Sequence, residues 1–196
     1  MRVDLNYIIG KQFIKTSKNT FARFLAAPSD EILLRVQSIK EITFNDYAHN
    51  TDQTMVSIID MDPVKDLILI ELTKDLYEPI LYYACNGIPG SYQKGCNTTK
   101  DITKIDISIM EGYIVRLLGC LRESSSELLD LRPRLQWIET SLMDIYECYV
   151  DFRNLSGTLV EIMIDFDKIF SGGLNIFYPE NTLNQILKIR GKNEYN

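Results

Sequence analysis

The chain has 196 residues, 45% hydrophobic, 24% charged and 10% aromatic, with six prolines and ten glycines, which suits one globular core and excludes a disordered, collagen-like or mucin-like chain. Lys plus Arg is 21 against 27 for Asp plus Glu, a net charge of −6, and apart from Lys11, Lys15, Lys18 and Arg23 the bases are scattered. That distribution argues against nucleic acid and anionic lipid as partners.

Met1-Arg2-Val3-Asp4-Leu5 opens without an apolar signal core, and no apolar run reaches the ~18 residues needed to span a bilayer, so a soluble, intracellular protein is expected. Residues 4–25 place Leu5, Ile8, Ile9, Phe13, Phe21 and Phe24 near helical spacing, and Pro28-Ser29-Asp30 stops that helix. Residues 31–36 read as a strand. Residues 38–50 read as a short helix with Thr43 as N-cap. Residues 55–59 and 67–70 are apolar runs separated by Asp60, Asp62 and Pro63, the pattern of an antiparallel hairpin. Helical spacing returns over 76–85. Residues 86–100, with Gly87, Gly90, Gly95 and Pro89, form the longest loop signal. Ile107, Met110, Ile114, Leu117, Leu118 and Leu121 mark an amphipathic helix running to Ser124-Ser125-Ser126. Residues 135–138, 158–164 and 174–177 read as strands, and 182–189 as a closing helix.

The order helix, strand, short helix, strand, strand, helix is therefore run through twice, with pseudo-repeats of about 1–100 and 101–196 in a single domain. Leu67-Ile68-Leu69-Ile70 before Leu76 corresponds to Leu174-Asn175-Ile176-Phe177 before Leu183. Such a duplication predicts an α/β sandwich with six strands in one central sheet.

Motifs of catalysis are missing. There is no phosphate-binding glycine loop, nucleophile elbow or zinc-protease helix, and His49 is the sole imidazole, beside Asn45 and Asp46 as at an exposed helix end. Cys85, Cys96, Cys120 and Cys148 make no C-x-x-C pair and read as free thiols, Cys120 and Cys148 as small core hydrophobes; no metal site and no cofactor are expected. Asp60/Asp62, Asp165/Asp167 and the Arg132-Pro133-Arg134 spot read as solvated charge rather than ligands. In Asn86-Gly87-Ile88-Pro89-Gly90 the first two residues suit a helix C-cap, and Ile88 is either a partner-facing tip or a buried anchor.

These residues resemble the middle domain of the bacterial flagellar motor switch family FliM, of the CheC/CheX/FliY type. Phe21-Ala22-Arg23 looks like the family's F-A-R and Thr43-Phe44-Asn45-Asp46-Tyr47 is similar to its T-Y-x-x-F. The stretch from Asp62-Pro63 to Leu81-Tyr82-Tyr83-Ala84-Cys85-Asn86-Gly87 follows the one ending in L-L-G-G-x-G. Thr103-Lys104-Ile105-Asp106 looks like T-x-I-E, Arg134 to Thr140 like the strand ending in E-T/S-N, and Phe177-Tyr178-Pro179 with Leu183, Ile186 and Leu187 like the I-P…L…I-L close. The loop departs from Gly-Gly-x-Gly by one added residue and a missing first glycine, and no CheY-binding peptide or SPOA domain is visible.

The resemblance implies a three-layer α/β/α sandwich with pseudo-twofold symmetry (CheC-like) and a structural role at the flagellar basal body, cytoplasmic and peripheral to the inner membrane. It implies FliG, neighbouring FliM copies, FliN/FliY and phosphorylated CheY as partners. It assigns FliG binding to Asn86, Gly87, Ile88, Pro89 and Gly90, and on the charges of the two long helices we expect self-association through Phe13, Arg23, Glu111, Arg116 and Glu123. The competing expectation is a CheC/CheX-like phosphatase acting on phosphorylated CheY. That activity needs an acid and an amide three residues apart on a helix, whereas Glu111 is followed by Ile114 and the first helix has Asn19 without an acid. A non-enzyme is therefore expected.

Overall fold

The computed structural model describes residues 12–49, 53–86, 88, 91–93, 101–126, 129–166 and 169–193. In chain order the elements are α1 (Ile14–Phe24), β1 (Ile32–Thr43), α2 (Phe44–His49), β2 (Thr54–Asp62), β3 (Val64–Thr73), α3 (Lys74–Asn86), α4 (Lys104–Ser125), β4 (Arg132–Glu139), α5 (Leu142–Cys148), a 3-10 turn (Val150–Phe152), β5 (Ser156–Phe166), β6 (Phe170–Pro179) and α6 (Glu180–Asn193). The six strands make one sheet in the order β1-β5-β6-β3-β2-β4. Every neighbouring pair is antiparallel.

Exchanging β1 with β4, β2 with β5 and β3 with β6 leaves that order unchanged when read backwards, which is the pseudo-twofold expected of a duplicated unit. The axis passes between β3 and β6, where Leu69 faces Phe177, Ile70 faces Ile176 and Glu71 faces Asn175. Side-chain direction sets the correspondence between the halves. Ile68, Ile70 and Leu72 bury in the same cluster as Leu174, Ile176 and Tyr178, whereas Leu67 packs on the other face of the sheet. The match of Leu67 with Leu174 is thus one residue out of step, and in a strand one residue reverses the face.

The larger cluster lies under α1, α3, α4 and α6; the smaller one, built on Phe44, Phe152, Leu159 and Phe177, lies under α2, α5 and the 3-10 turn. Two helices on the larger side are placed by local chemistry. Thr103 Oγ1 accepts from the Asp106 amide at 3.2 Å and the Asp106 carboxylate accepts from the Thr103 amide at 2.8 Å, closing a capping box that starts α4 three residues before the first periodic apolar position. α3 reaches β6 because position 172 is glycine: a Cβ there would stand 2.7 Å from the Leu76 Cβ.

Three expectations change. The strand predicted over 31–36 runs on to Thr43, and the helix predicted over 38–50 is confined to α2. A register shift between Val36 and Ser38 re-phases β1, so that Ile39 turns toward the larger cluster and Ile42 toward the smaller. The N-cap expected at Thr43 is present, its Oγ1 accepting from the Asp46 amide at 3.2 Å. The sequence reading left α5 out. Finally, Cys148 is exposed while Cys120 is buried; the inner side of α5 is filled by Leu142 and Ile145, and beyond it the 3-10 turn contributes Phe152.

Candidate functional site

The Gly-rich loop leaves the C-terminus of α3. Asn86 is the last residue of that helix; Gly87, Pro89 and Gly90 lie outside the described residues. Ile88 is 60% exposed, which decides between the two roles open to it in favour of an outward tip. The chain returning from the tip is tied back onto α3. Ser91 Oγ donates to the Ile88 carbonyl at 2.7 Å, and the Tyr82 hydroxyl lies 2.9 Å from Ser91 Oγ and 3.2 Å from the Ser91 carbonyl. Tyr92 is buried, edge-on to Tyr82 (5.5 Å between ring centres) and Phe170 (6.2 Å), with its hydroxyl donating to Glu78 at 3.5 Å. Sequence reasoning missed these tyrosines and Ser91. The available signal was three tyrosines flanking the glycines, dense enough to pack on one another.

A second surface joins α1 and α4. The helices lie side by side, with Phe24 edge-on to Tyr113 at 4.5 Å and Thr16 Oγ1 donating to the Cys120 carbonyl at 3.3 Å. Arg23, Glu111, Arg116 and Glu123 are all exposed. Phe13 is not: at 1% exposure it belongs to the larger cluster and is withdrawn from the self-association face. Its carbonyl accepts from the Ser17 hydroxyl at 2.6 Å at the start of α1. Between the charges on α4 runs an uncharged outer strip of Ile105, Ser108, Gly112, Val115 and Gly119, with Ile105 71% and Val115 57% exposed. A Cβ at Gly112 or Gly119 would meet nothing within 4 Å.

The residues weighed for chemistry are spread apart. His49 is exposed, its ring nitrogen 2.8 Å from the Asn45 carbonyl. Arg132 pairs with Asp62 at 3.5 Å and Asp130 at 3.6 Å, and Asp165 with Arg35 at 3.3 Å; Asp167 lies outside the described residues. Among the described residues no three His, Cys, Asp or Glu side chains gather as ligands for a metal ion, and no helix is long and apolar enough to cross a membrane. Burial pushes the Cys120 thiol up, away from a reactive thiolate. On α4, Glu111 is exposed and Ile114 is wholly buried, so no side-chain amide stands beside that acid one turn on.

A duplicated six-stranded sheet with helices on both faces is the fold this chain shares with solved FliM middle domains. The crystal structure of the FliM middle domain from H. pylori superposes with a TM-score of 0.74 at 15% identity, covering 92% of each chain, and Thermotoga maritima FliY with 0.75 at 15%, covering 96% and 95%. The H. pylori FliG–FliM complex matches with 0.74 at 16%, covering 90% of this chain and 93% of that one. In sequence, residues 6–194 match the family described as flagellar motor switch protein FliM, and the chain belongs to that family. It is 33% identical to the FliM of Treponema pallidum over 110 residues (55% of this chain, 30% of the relative). It is 27% identical to that of Borreliella burgdorferi over 134 (65% and 37%). The alignments thus span about a third of the length of these curated relatives.

Proposed function

We propose that this chain is a non-catalytic link in the flagellar motor switch, binding FliG through the loop at residues 86–90 and packing beside copies of itself through α1 and α4. One observation carries the reading: in a member of the FliM family, an isoleucine 60% exposed sits in the Gly-rich loop on a tied-down return. An apolar side chain presented from such a loop is suited to anchor in a partner's pocket. The H. pylori relative solved together with FliG supports FliG as that partner. Arg23, Glu111, Arg116 and Glu123 supply the charges of the self-association face, now without Phe13. The whole of 1–196 acts as one domain of two halves, about 1–100 and 101–196, in the cytoplasm against the inner membrane at the basal body. FliN/FliY and phosphorylated CheY complete the partner set.

The phosphatase alternative is disfavoured by the Glu111–Ile114 pairing and by the lysines and Arg23 that surround Asn19. A pull-down against FliG, run beside a dephosphorylation assay on phosphorylated CheY, separates the readings. FliG retention without phosphate release is expected; phosphate release would replace this reading with the enzymatic one.

A further inference from the structure

We propose that Tyr82 and Ser91 are positioning residues for Ile88: a two-step hydrogen-bond relay that fixes the loop's apolar tip before any partner arrives. This rests on the reading of the loop as the FliG contact, and it adds how the contact is pre-shaped.

Ser91 Oγ donates to the Ile88 carbonyl at 2.7 Å, and the Tyr82 hydroxyl faces both Ser91 Oγ at 2.9 Å and the Ser91 carbonyl at 3.2 Å, so its one proton is shared between two acceptors of the same residue. The relay therefore runs from α3, through one hydroxyl, to the backbone of the tip. Tyr82 sits within the regular part of α3, more than a turn before its end, and its ring is packed edge-on to Tyr83 and Tyr92, each at 5.5 Å. Tyr92, next to Ser91, is wedged on Phe170 of β6 at 6.2 Å. The tip carbonyl is thereby tied to the helix, while the Ile88 side chain points out at 60% exposure.

A glycine-rich loop without such ties samples many shapes, and fixing it on binding costs affinity. A relay that orders one residue in advance is worth about tenfold in dissociation constant. The binding role of Tyr82 and Ser91 lies in their hydroxyls alone, because the aromatic packing of Tyr82 survives their loss.

The test has a partner-free arm and a binding arm. In the free protein, Tyr82→Phe and Ser91→Ala should speed amide hydrogen exchange over residues 88–92 while leaving the exchange of β3 and β6 unchanged. Against FliG, each should weaken binding roughly tenfold, the double variant no more than either alone, and Ser91→Thr should restore both readouts. Unchanged exchange in both single variants overturns the relay. Faster exchange with undiminished FliG affinity, in a background where Ile88→Asp abolishes binding, overturns the positioning role and leaves the loop reading standing. If Ile88→Asp binds FliG as well as the parent does, the loop reading itself falls, and the positioning role falls with it.

Discussion

Glu71 and Asn175 face each other across the central strand pair, and Asn175 Nδ2 donates to the Glu71 carboxylate at 2.7 Å. Their pseudo-twofold images, Phe177 and Leu69, also face each other, but in the aromatic packing under α2, with Phe177 5.7 Å from Phe44 and 5.9 Å from Tyr47. The two halves thus share a backbone plan and differ in chemistry at the axis. Glu71 is 1% exposed and accepts from the Tyr47 hydroxyl, from Thr54 Oγ1 at 2.8 Å and from Asn175. Three donors converge on one carboxylate beneath α2.

Removing that acceptor should be costly. Glu71→Ala strands the buried Tyr47 hydroxyl and removes the acceptor of the part-buried Asn175 amide, while Thr54 Oγ1 keeps the Leu72 carbonyl at 2.8 Å. It is expected to lower unfolding free energy by roughly 2–3 kcal/mol, read by urea denaturation. Tyr47→Phe, which loses one donor, should cost about 1 kcal/mol. If Glu71→Ala costs less than Tyr47→Phe, the network is not holding α2 down.

The tyrosines predict an alkaline limit. Burial, and for Tyr47 the Glu71 charge, hold the Tyr47 and Tyr178 hydroxyls above their usual range, and burial with Glu78 and Asp106 pushes Tyr77 up to about 12. Unfolded tyrosines ionise near pH 10 while these folded ones keep their protons, so stability should fall as pH rises above about 10. Urea midpoints at pH 9 and 11 measure the slope, and Tyr178→Phe should flatten it.

How much of this was legible in sequence depended on the competing periodicities. The amphipathic α4 announces itself by one sustained period, and the hairpin β2–β3 by two continuous apolar runs either side of Asp62-Pro63. β1 does not: the bulge near Gln37 breaks its alternation, and beyond it Ile39 and Ile42, which lie on opposite faces of the strand, stand at a spacing that also suits a helix. α5 was overlooked although its N-cap is written as Ser141 with Asp144 three residues on, and Ser141 Oγ does accept from the Met143 amide at 3.0 Å. Seven residues are too few for an apolar stripe to stand out. At the site, the outward direction of Ile88 was undecidable from sequence because it depends on Tyr82, Ser91 and Tyr92 closing the loop's return.

Gly112 and Gly119 test the α4 face. Both are exposed with open space above them, so Gly→Ala at either should stabilise the isolated domain by up to about 1 kcal/mol through helix propensity. If a neighbouring copy packs closely there, the same changes should impair motility and reduce in-cell crosslinking between cysteines placed on α1 and α4. Unimpaired motility in the double variant would count against this strip as a contact surface.

The Lys40–Glu161 pair across β1 and β5 predicts an acid-side effect. Burial raises the Glu161 carboxyl, but hydrogen bonds from Lys40 at 2.8 Å and from Ser38 outweigh it, and the group titrates below its usual range. Its stabilisation is present above the ordinary carboxylate pKa and lost as pH falls through the lowered value. Lys40→Ala should therefore cost 1 kcal/mol or less at pH 7, since the lysine is 46% exposed, and nothing near pH 2. A cost equal at both pH values would show lost packing rather than lost charge.

After α1 the chain turns at Ala26, whose φ of 49° is a left-handed conformation that a β-carbon resists. Ala26→Gly should relieve that conflict and, after the added freedom of the unfolded chain, stabilise by about 0.5–1 kcal/mol. Differential scanning calorimetry measures it as a raised Tm; a lowered Tm would mean the methyl group packs usefully.

The palindromic strand order has a consequence for synthesis. β1 has a single neighbour in the sheet, β5, and its Ile32 pairs with Phe166. On the ribosome β1 emerges more than a hundred residues before anything it can pair with, a delay of roughly 6–30 s at about 5–20 residues per second. For a strand that waits so long, the charged Arg35, Lys40 and Glu41 along it are a guard against pairing with a stranger. The symmetry that makes the finished sheet one block obliges its first strand to wait for nearly the last.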